Sequence, residues 1–133
     1  ENKMVNKSIL IFILVLVDQI TKVFFKDKSF LIFNYTTNTG AAFSLFQNQN
    51  LFLIITSIII LIFLIYLYKK YPKLQVYISL IIAGTIGNLI DRIFLGYVRD
   101  FIVLRVWPVF NVADSLGVVG VLLKVYSIIK NKD

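Results

Sequence analysis

The sequence predicts an α-helical membrane protein with four transmembrane helices and a small extracytoplasmic β element, and three observations carry that reading. The 133 residues are 59% hydrophobic with a mean hydropathy of +0.85, whereas a soluble domain is about half apolar or less. Four runs are almost free of charge: Ser8 to Val17 continuing past Asp18 to Phe25, Leu51 to Tyr68, Leu74 to Ile90, and Val106 to Leu123 interrupted only by Asp114. Each approaches the roughly 17 to 25 residues with which a helix crosses about 30 Å of hydrocarbon. The basic residues gather at the ends of these runs.

Taken in order, spans at about 8–25, 51–68, 74–92 and 108–128, with outer segments 26–50 and 93–107, make one integral membrane domain over 1–133. Lys3 and Lys7 before the first run resemble a secretory signal, but Asp18, Gln19, Thr21 and Lys22 follow in place of a small-x-small cleavage site, so the helix reads as retained. Asp27 to Asn50 mixes aromatic, β-branched and turn-forming residues, with a turn near Asn38-Thr39-Gly40, and Gly96 to Trp107 has a similar extended character. In a four-span topology both lie on one side, where they can pair into a small sheet at the membrane surface. Pro108 suits the first turn of the fourth helix, where its missing N–H has no partner to lose. Tyr97 and Trp107 suit the interface. Ser79, Ala83 and Gly87 recur at every fourth position, as do Ala113 and Gly117; such spacing lets helices approach closely.

The net charge of +7 is distributed unevenly. Lys3, Lys7, Lys69, Lys70, Lys73, Lys124, Lys130 and Lys132 fall on one side, and Lys26, Lys28, Arg92, Arg99 and Arg105 on the other. The more basic side is cytoplasmic by the positive-inside rule and holds both termini. Clusters at helix ends do not form the stripe that a nucleic-acid partner needs. The chain has no cysteine and no histidine, which excludes a disulfide framework, a thiol nucleophile, most metal sites and every Ser-His or Cys-His triad.

Seven acids remain: Glu1, Asp18, Asp27, Asp91, Asp100, Asp114 and Asp133. Asp18, Asp91, Asp100 and Asp114 all fall at the outer ends of the spans, Asp114 six residues after Pro108 and so roughly 9 Å along a helix axis. An aspartate at that depth faces the bundle interior or a wet cavity and has a partner. Asn88, Asp91 and Arg92 share a helix face, Asn111 and Asp114 stand three apart, and Asp18 and Lys22 form an i,i+4 pair. Asp18 with Lys22, and Asp91 with Arg92, read as neutralised structural pairs before they read as chemistry. For Asp100 and Asp114 helical spacing dictates no basic partner, and the residues alone leave a pairing with Arg99 and a catalytic role equally open. Two neighbouring carboxylates can hydrolyse an amide without a metal: one keeps a proton and binds the carbonyl oxygen, and the other takes a proton from the attacking water.

The blocks "DQITK" (18–22), "NTGAAF" (38–43), "GTIGNLIDR" (84–92), "VRDF" (98–101) and "FNVADS" (110–115), in this order and at these topological positions, resemble the signal peptidase II family of lipoprotein signal peptidases. The resemblance implies a four-helix enzyme of the bacterial plasma membrane, working near the outer leaflet and cutting prolipoproteins on the amino side of a diacylglyceryl-cysteine. It implies Asp100 and Asp114 as catalytic aspartates, with no metal or cofactor. It makes Asn38, Gly40, Asn88, Asp91, Arg92 and Asn111 site-shaping or substrate-binding, and Asp18 and Lys22 a structural pair. It further implies a monomer, membrane lipid as a neighbour and the peptide antibiotic globomycin as an inhibitor. The chain departs from the family in its short loops and in Arg99, which stands where valine is common.

Two other classes compete with this reading. A small ion- or proton-conducting subunit also places acids in a bundle, but its acids extend through both leaflets, and the inner halves of these four spans have none. A non-catalytic membrane adaptor accounts for the small-residue stripes and gives no reason for Asp100 and Asp114.

Overall fold

The computed structural model describes residues 6–131, so Glu1 and Lys3 at one end and Lys132 and Asp133 at the other lie outside the described residues. Four helices form the body. α1 (Lys7–Phe24) starts at Asn6, whose side-chain oxygen accepts from the backbone N–H of Ser8 at 2.9 Å, satisfying one of the donors that a helix start leaves free. α2 (Asn50–Lys70) and α3 (Gln75–Phe94) are joined by a tight turn through Pro72, and α4 (Val112–Lys130) closes the chain.

α3 lies at the centre, packed against each of the other three helices. Leu64, Ile78 and Ile82 form a core cluster between α2 and α3. α1 buries only Asp18 and Lys22, while Ile9, Phe12, Ile20 and Val23 face outward. This inverts the soluble pattern, because lipid solvates the apolar faces and the bundle interior receives the polar groups. α2, the segment Pro72–Phe94 and α4 are each long and apolar enough to cross a membrane. α1 is shorter and carries Lys7, Asp18 and Lys22.

Glycine sets how closely α3 approaches its neighbours. A Cβ on Gly84 would collide with the carbonyl of Ala113, and one on Gly87 with the Asp18 carboxylate. The small-residue stripe is therefore where α1, α3 and α4 meet.

Between the helices stands a three-stranded antiparallel sheet in the order β1 (Ser29–Phe30), β2 (Phe33–Asn38), β3 (Val98–Ile102). β2 aligns Thr36 with Asp100 and Thr37 with Arg99. Phe25, Phe33 and Phe101 stack at 4.4 and 4.6 Å between ring centroids and fix the sheet to the end of α1. Successive residues of a strand point to opposite faces, so with Phe101 held in this stack, Asp100 faces the bundle.

Two expectations are corrected. The extended run from Gly96 to Trp107 is strand only over Val98–Ile102, and a turn follows in which the N–H of Trp107 bonds to the carbonyl of Leu104 at 2.9 Å. α4 begins at Val112 and not at Pro108: Phe110 exchanges bonds with Ile102 in both directions, at 2.9 and 3.1 Å, keeping 108–110 extended. Asp114 therefore lies in the first turn of α4, and Pro108 precedes the helix.

Gly87→Ala should lower stability by about 1–3 kcal/mol through overpacking against Asp18. Gly117→Ala, where a Cβ meets nothing within 4 Å, should leave thermal unfolding in detergent unchanged or raise its midpoint.

Candidate active site

α4 opens with a capping box. The side-chain oxygen of Asn111 accepts from the N–H of Asp114 at 2.9 Å, and Asp114 Oδ2 accepts from the N–H of Asn111 at 3.1 Å. This fixes the Asp114 side chain at the helix start. Asn111, fully buried, turns its amide N–H groups to Asp100 Oδ1 at 2.9 Å, Asn88 Oδ1 at 3.0 Å and the carbonyl of Arg99 at 3.2 Å. Asn88 donates in turn to Asp114 Oδ1 at 2.9 Å. Asp100 and Asp114 are thus drawn together by bonds to the same residue, one from β3 and one from α4.

Among the described residues, neither of these carboxylates forms an ion pair; the three ion pairs all lie in an adjacent cluster. There Lys22 Nζ reaches Asp18 at 2.7 Å and Asp91 at 3.2 Å, and Arg99 reaches Asp91 at 2.8 Å. Asp91 does not pair with Arg92. The two side chains leave α3 in different directions, and Arg92 donates across to the carbonyl of Gly40 at 3.4 Å. The Arg99 side chain turns away from Asp100 to Asp91 and to Gln19 Oε1 at 2.8 Å, which answers where that cation points. Asp18 also accepts from the backbone N–H of Ala113 at 2.8 Å, tying α1 to the start of α4.

Asp100 is 4% exposed, and burial, reinforced by the charge of Asp114, pushes its carboxyl up to about 7. Both aspartates open into a groove of about 610 Å³, whose polar end is lined by Asn38, Gly40, Asn88 and Arg92. The groove continues between the helices over Ile60, Ile81, Val118, Val121 and Leu122. Asn38 Oδ1 accepts from the N–H of Gly40 at 2.9 Å and from Gln47 Nε2 at 3.0 Å, which holds the turn at the groove's rim. Gly40 faces the carbonyl of Leu45 too closely for any side chain.

Among the described residues no group of three or more acids, histidines or cysteines is arranged to hold a metal ion. The arrangement can hold a water or a carbonyl between two carboxylates at the head of an apolar channel. Sequence reasoning assigned no role to Gln19, which donates to Asp18, Asp91 and the carbonyl of Gly87 at 3.1–3.3 Å. It also missed Asn50, whose amide bonds to the carbonyl of Arg92 at 2.9 Å. For Gln19, its polarity inside an apolar span was the available signal; Asn50 sits in a run of polar loop residues and offered none.

Arg99→Met should cost about 3 kcal/mol of stability, because it removes one partner of a buried ion cluster and leaves Asp91 under-compensated. Thermal unfolding against wild type measures this.

The chain is similar to known proteins in sequence and in fold. Residues 10–130 match the family model described as Signal peptidase (SPase) II. A lipoprotein signal peptidase of Thermodesulfovibrio yellowstonii is 42% identical over 143 residues, covering 96% of this chain and 97% of the relative. The lipoprotein signal peptidase of Halothermothrix orenii is 41% identical, covering 86% and 89%. A bacterial membrane enzyme solved by the in meso method at 2.3 Å resolution superimposes with a TM-score of 0.83 at 34% identity, over 97% of this chain and 91% of that one. A second such structure, at 1.9 Å, gives 0.78 at 34% identity over 96% and 95%. With the match running from α1 to α4 in sequence and in fold, the chain belongs to the signal peptidase II family.

Proposed function

We infer that the chain removes signal peptides from prolipoproteins as an aspartyl endopeptidase, cutting on the amino side of a diacylglyceryl-cysteine. The observation that carries this is a pair of carboxylates, Asp100 buried and Asp114 half-buried, each bonded to Asn111, without an ion-pair partner among the described residues and set at the polar head of a groove otherwise lined by apolar side chains. Such a groove suits an apolar signal segment and lipid chains, while the polar head suits the scissile amide.

The two carboxylates are held unequally. Asp114 accepts two N–H groups, from Asn88 and from the Asn111 backbone, whereas Asp100 accepts one side-chain N–H, from Asn111. Hydrogen bonds to a carboxylate favour its charged form, so Asp114 is the base that takes a proton from water, and Asp100 is the acid that binds the carbonyl oxygen. Attack gives a tetrahedral intermediate. Proton transfer to the nitrogen then releases the amine and frees the diacylglyceryl-cysteine at a new N-terminus. Arg92, Asn38 and Gly40 orient the peptide at the rim.

In this reading α1 spans the membrane with the other three helices, the Asp18–Lys22 pair cancelling its charge inside the bundle. The termini are cytoplasmic, and the dyad lies near the outer leaflet of a bacterial plasma membrane. The chain acts as a monomer and needs no cofactor, and globomycin blocks the groove.

Asp100→Asn and Asp114→Asn should each slow cleavage of a diacylglyceryl prolipoprotein in detergent by at least about 10²-fold. Cleavage at wild-type rate by either variant would remove that residue from the dyad. Because the acid form of Asp100 is present below its raised pKa, the rate should fall as pH rises through about 7. The folded state also binds this proton more tightly than the unfolded chain does, so stability declines as pH rises from about 3.8 to about 7. Asp100→Asn should therefore unfold at a higher temperature than wild type above that window, even as it loses activity.

A further inference from the structure

Lys22 is fully buried, and two carboxylates would suffice to neutralise it. Its ammonium nevertheless donates a further bond, to Asn88 Oδ1 at 3.1 Å, besides a contact with the carbonyl of Gly87 at 3.3 Å. Asn88 Oδ1 accepts from Asn111 as well, at 3.0 Å. An amide has its acceptor at one end and its donors at the other. With the oxygen held by two donors, the Asn88 nitrogen must face Asp114, which it meets at 2.9 Å. The flipped amide would set its NH₂ against an ammonium and its oxygen against a carboxylate, so Lys22 makes one orientation the only satisfied one.

We propose that Lys22 is a positioning residue for cleavage: by holding Asn88 Oδ1, it fixes the amide that binds Asp114 and supports Asn111, the donor to Asp100. The proposal rests on the assignment of Asp100 and Asp114 as the catalytic pair. The charges acting on Asp100 come from Asp114 on α4, Lys22 on α1 and Arg92 on α3, while Arg99 and Asp91 are occupied with each other. Lys22 favours the ionised form of Asp100. Its removal therefore lets Asp100 keep its proton to higher pH.

Lys22→Met alone strands Asp18, so the test uses Lys22→Met with Asp18→Asn. This keeps an oxygen for the N–H of Ala113 and leaves Asp91 paired with Arg99. With a diacylglyceryl prolipoprotein as substrate, kcat should fall on the order of 10²-fold from lost alignment, with KM little changed and the alkaline limb of the rate profile moved above that of wild type. A folded double variant with wild-type kcat and pH profile overturns the proposal. In an Asn88→Ala background the same pair of changes should cost little more, because both act through one amide; a fully additive loss also overturns it. If the double variant does not fold, the ¹⁵N resonance of Lys22 Nζ in the native protein decides. It should move on Asn88→Ala, which leaves both carboxylate partners in place, and an unmoved resonance overturns the proposal. Asp114→Asn in the same assay separates the two readings: continued cleavage there sinks the dyad, whereas an inactive Asp114→Asn beside an unaffected Lys22 variant sinks only the role of Lys22.

Discussion

A buried ammonium must be matched on every side, and the sheet-bearing end of this bundle is organised around that requirement. Lys22 has no exposed surface, and its partners come from α1 itself and from α3. Removing a charge from water costs several kcal/mol unless neighbours compensate it. Asp18 and Asp91 supply that compensation, Arg99 balances the second carboxylate, and Gln19 fills the remaining acceptor and donor positions. The glycines of α3 belong to the same arrangement, because a side chain at Gly87 would displace Asp18 from the cluster.

Next to this cluster lies a pair of carboxylates that have no ion-pair partner among the described residues. The boundary between the two is formed by Asn88 and Asn111, neutral side chains that carry both donors and acceptors. They pass hydrogen-bond direction from the ion cluster to the two carboxylates without passing a counter-charge. A lysine or arginine in either place would hold Asp100 or Asp114 ionised and remove the proton that the proposed two-carboxylate hydrolysis requires.

The helical architecture and the presence of a small sheet were legible from hydropathy and turn chemistry, because both depend on local composition. The Asp18–Lys22 pair was legible from i,i+4 spacing, and the grouping of acids at one end followed from topology. Pairings across elements were not. Sequence proximity suggested Arg92 for Asp91, but adjacent residues on a helix diverge by about 100°, and the true partner, Arg99, arrives from a strand. The start of α4 was misplaced because Pro108 fits a first turn as well as it fits an extended approach. Only the return bonds of Phe110 to Ile102 distinguish the two, and those depend on register. Gln19 was passed over because an uncharged amide in an apolar run gives no spacing signal of its own.

Those same Phe110–Ile102 bonds bear on how the site assembles. They fold the chain back on itself between Asp100 and Asp114, so the two carboxylates are the near ends of one short loop closed across a β-bridge. Closing a short loop costs less chain entropy than joining distant segments. Once α3 and α4 have met along Gly84, the final helical hairpin already contains both carboxylates together with Asn88, Asn111 and Arg92. The N-terminal half of the chain then contributes fastenings: β2 and the Phe25 ring hold β3, and Lys22 of α1 reaches the Asn88 amide.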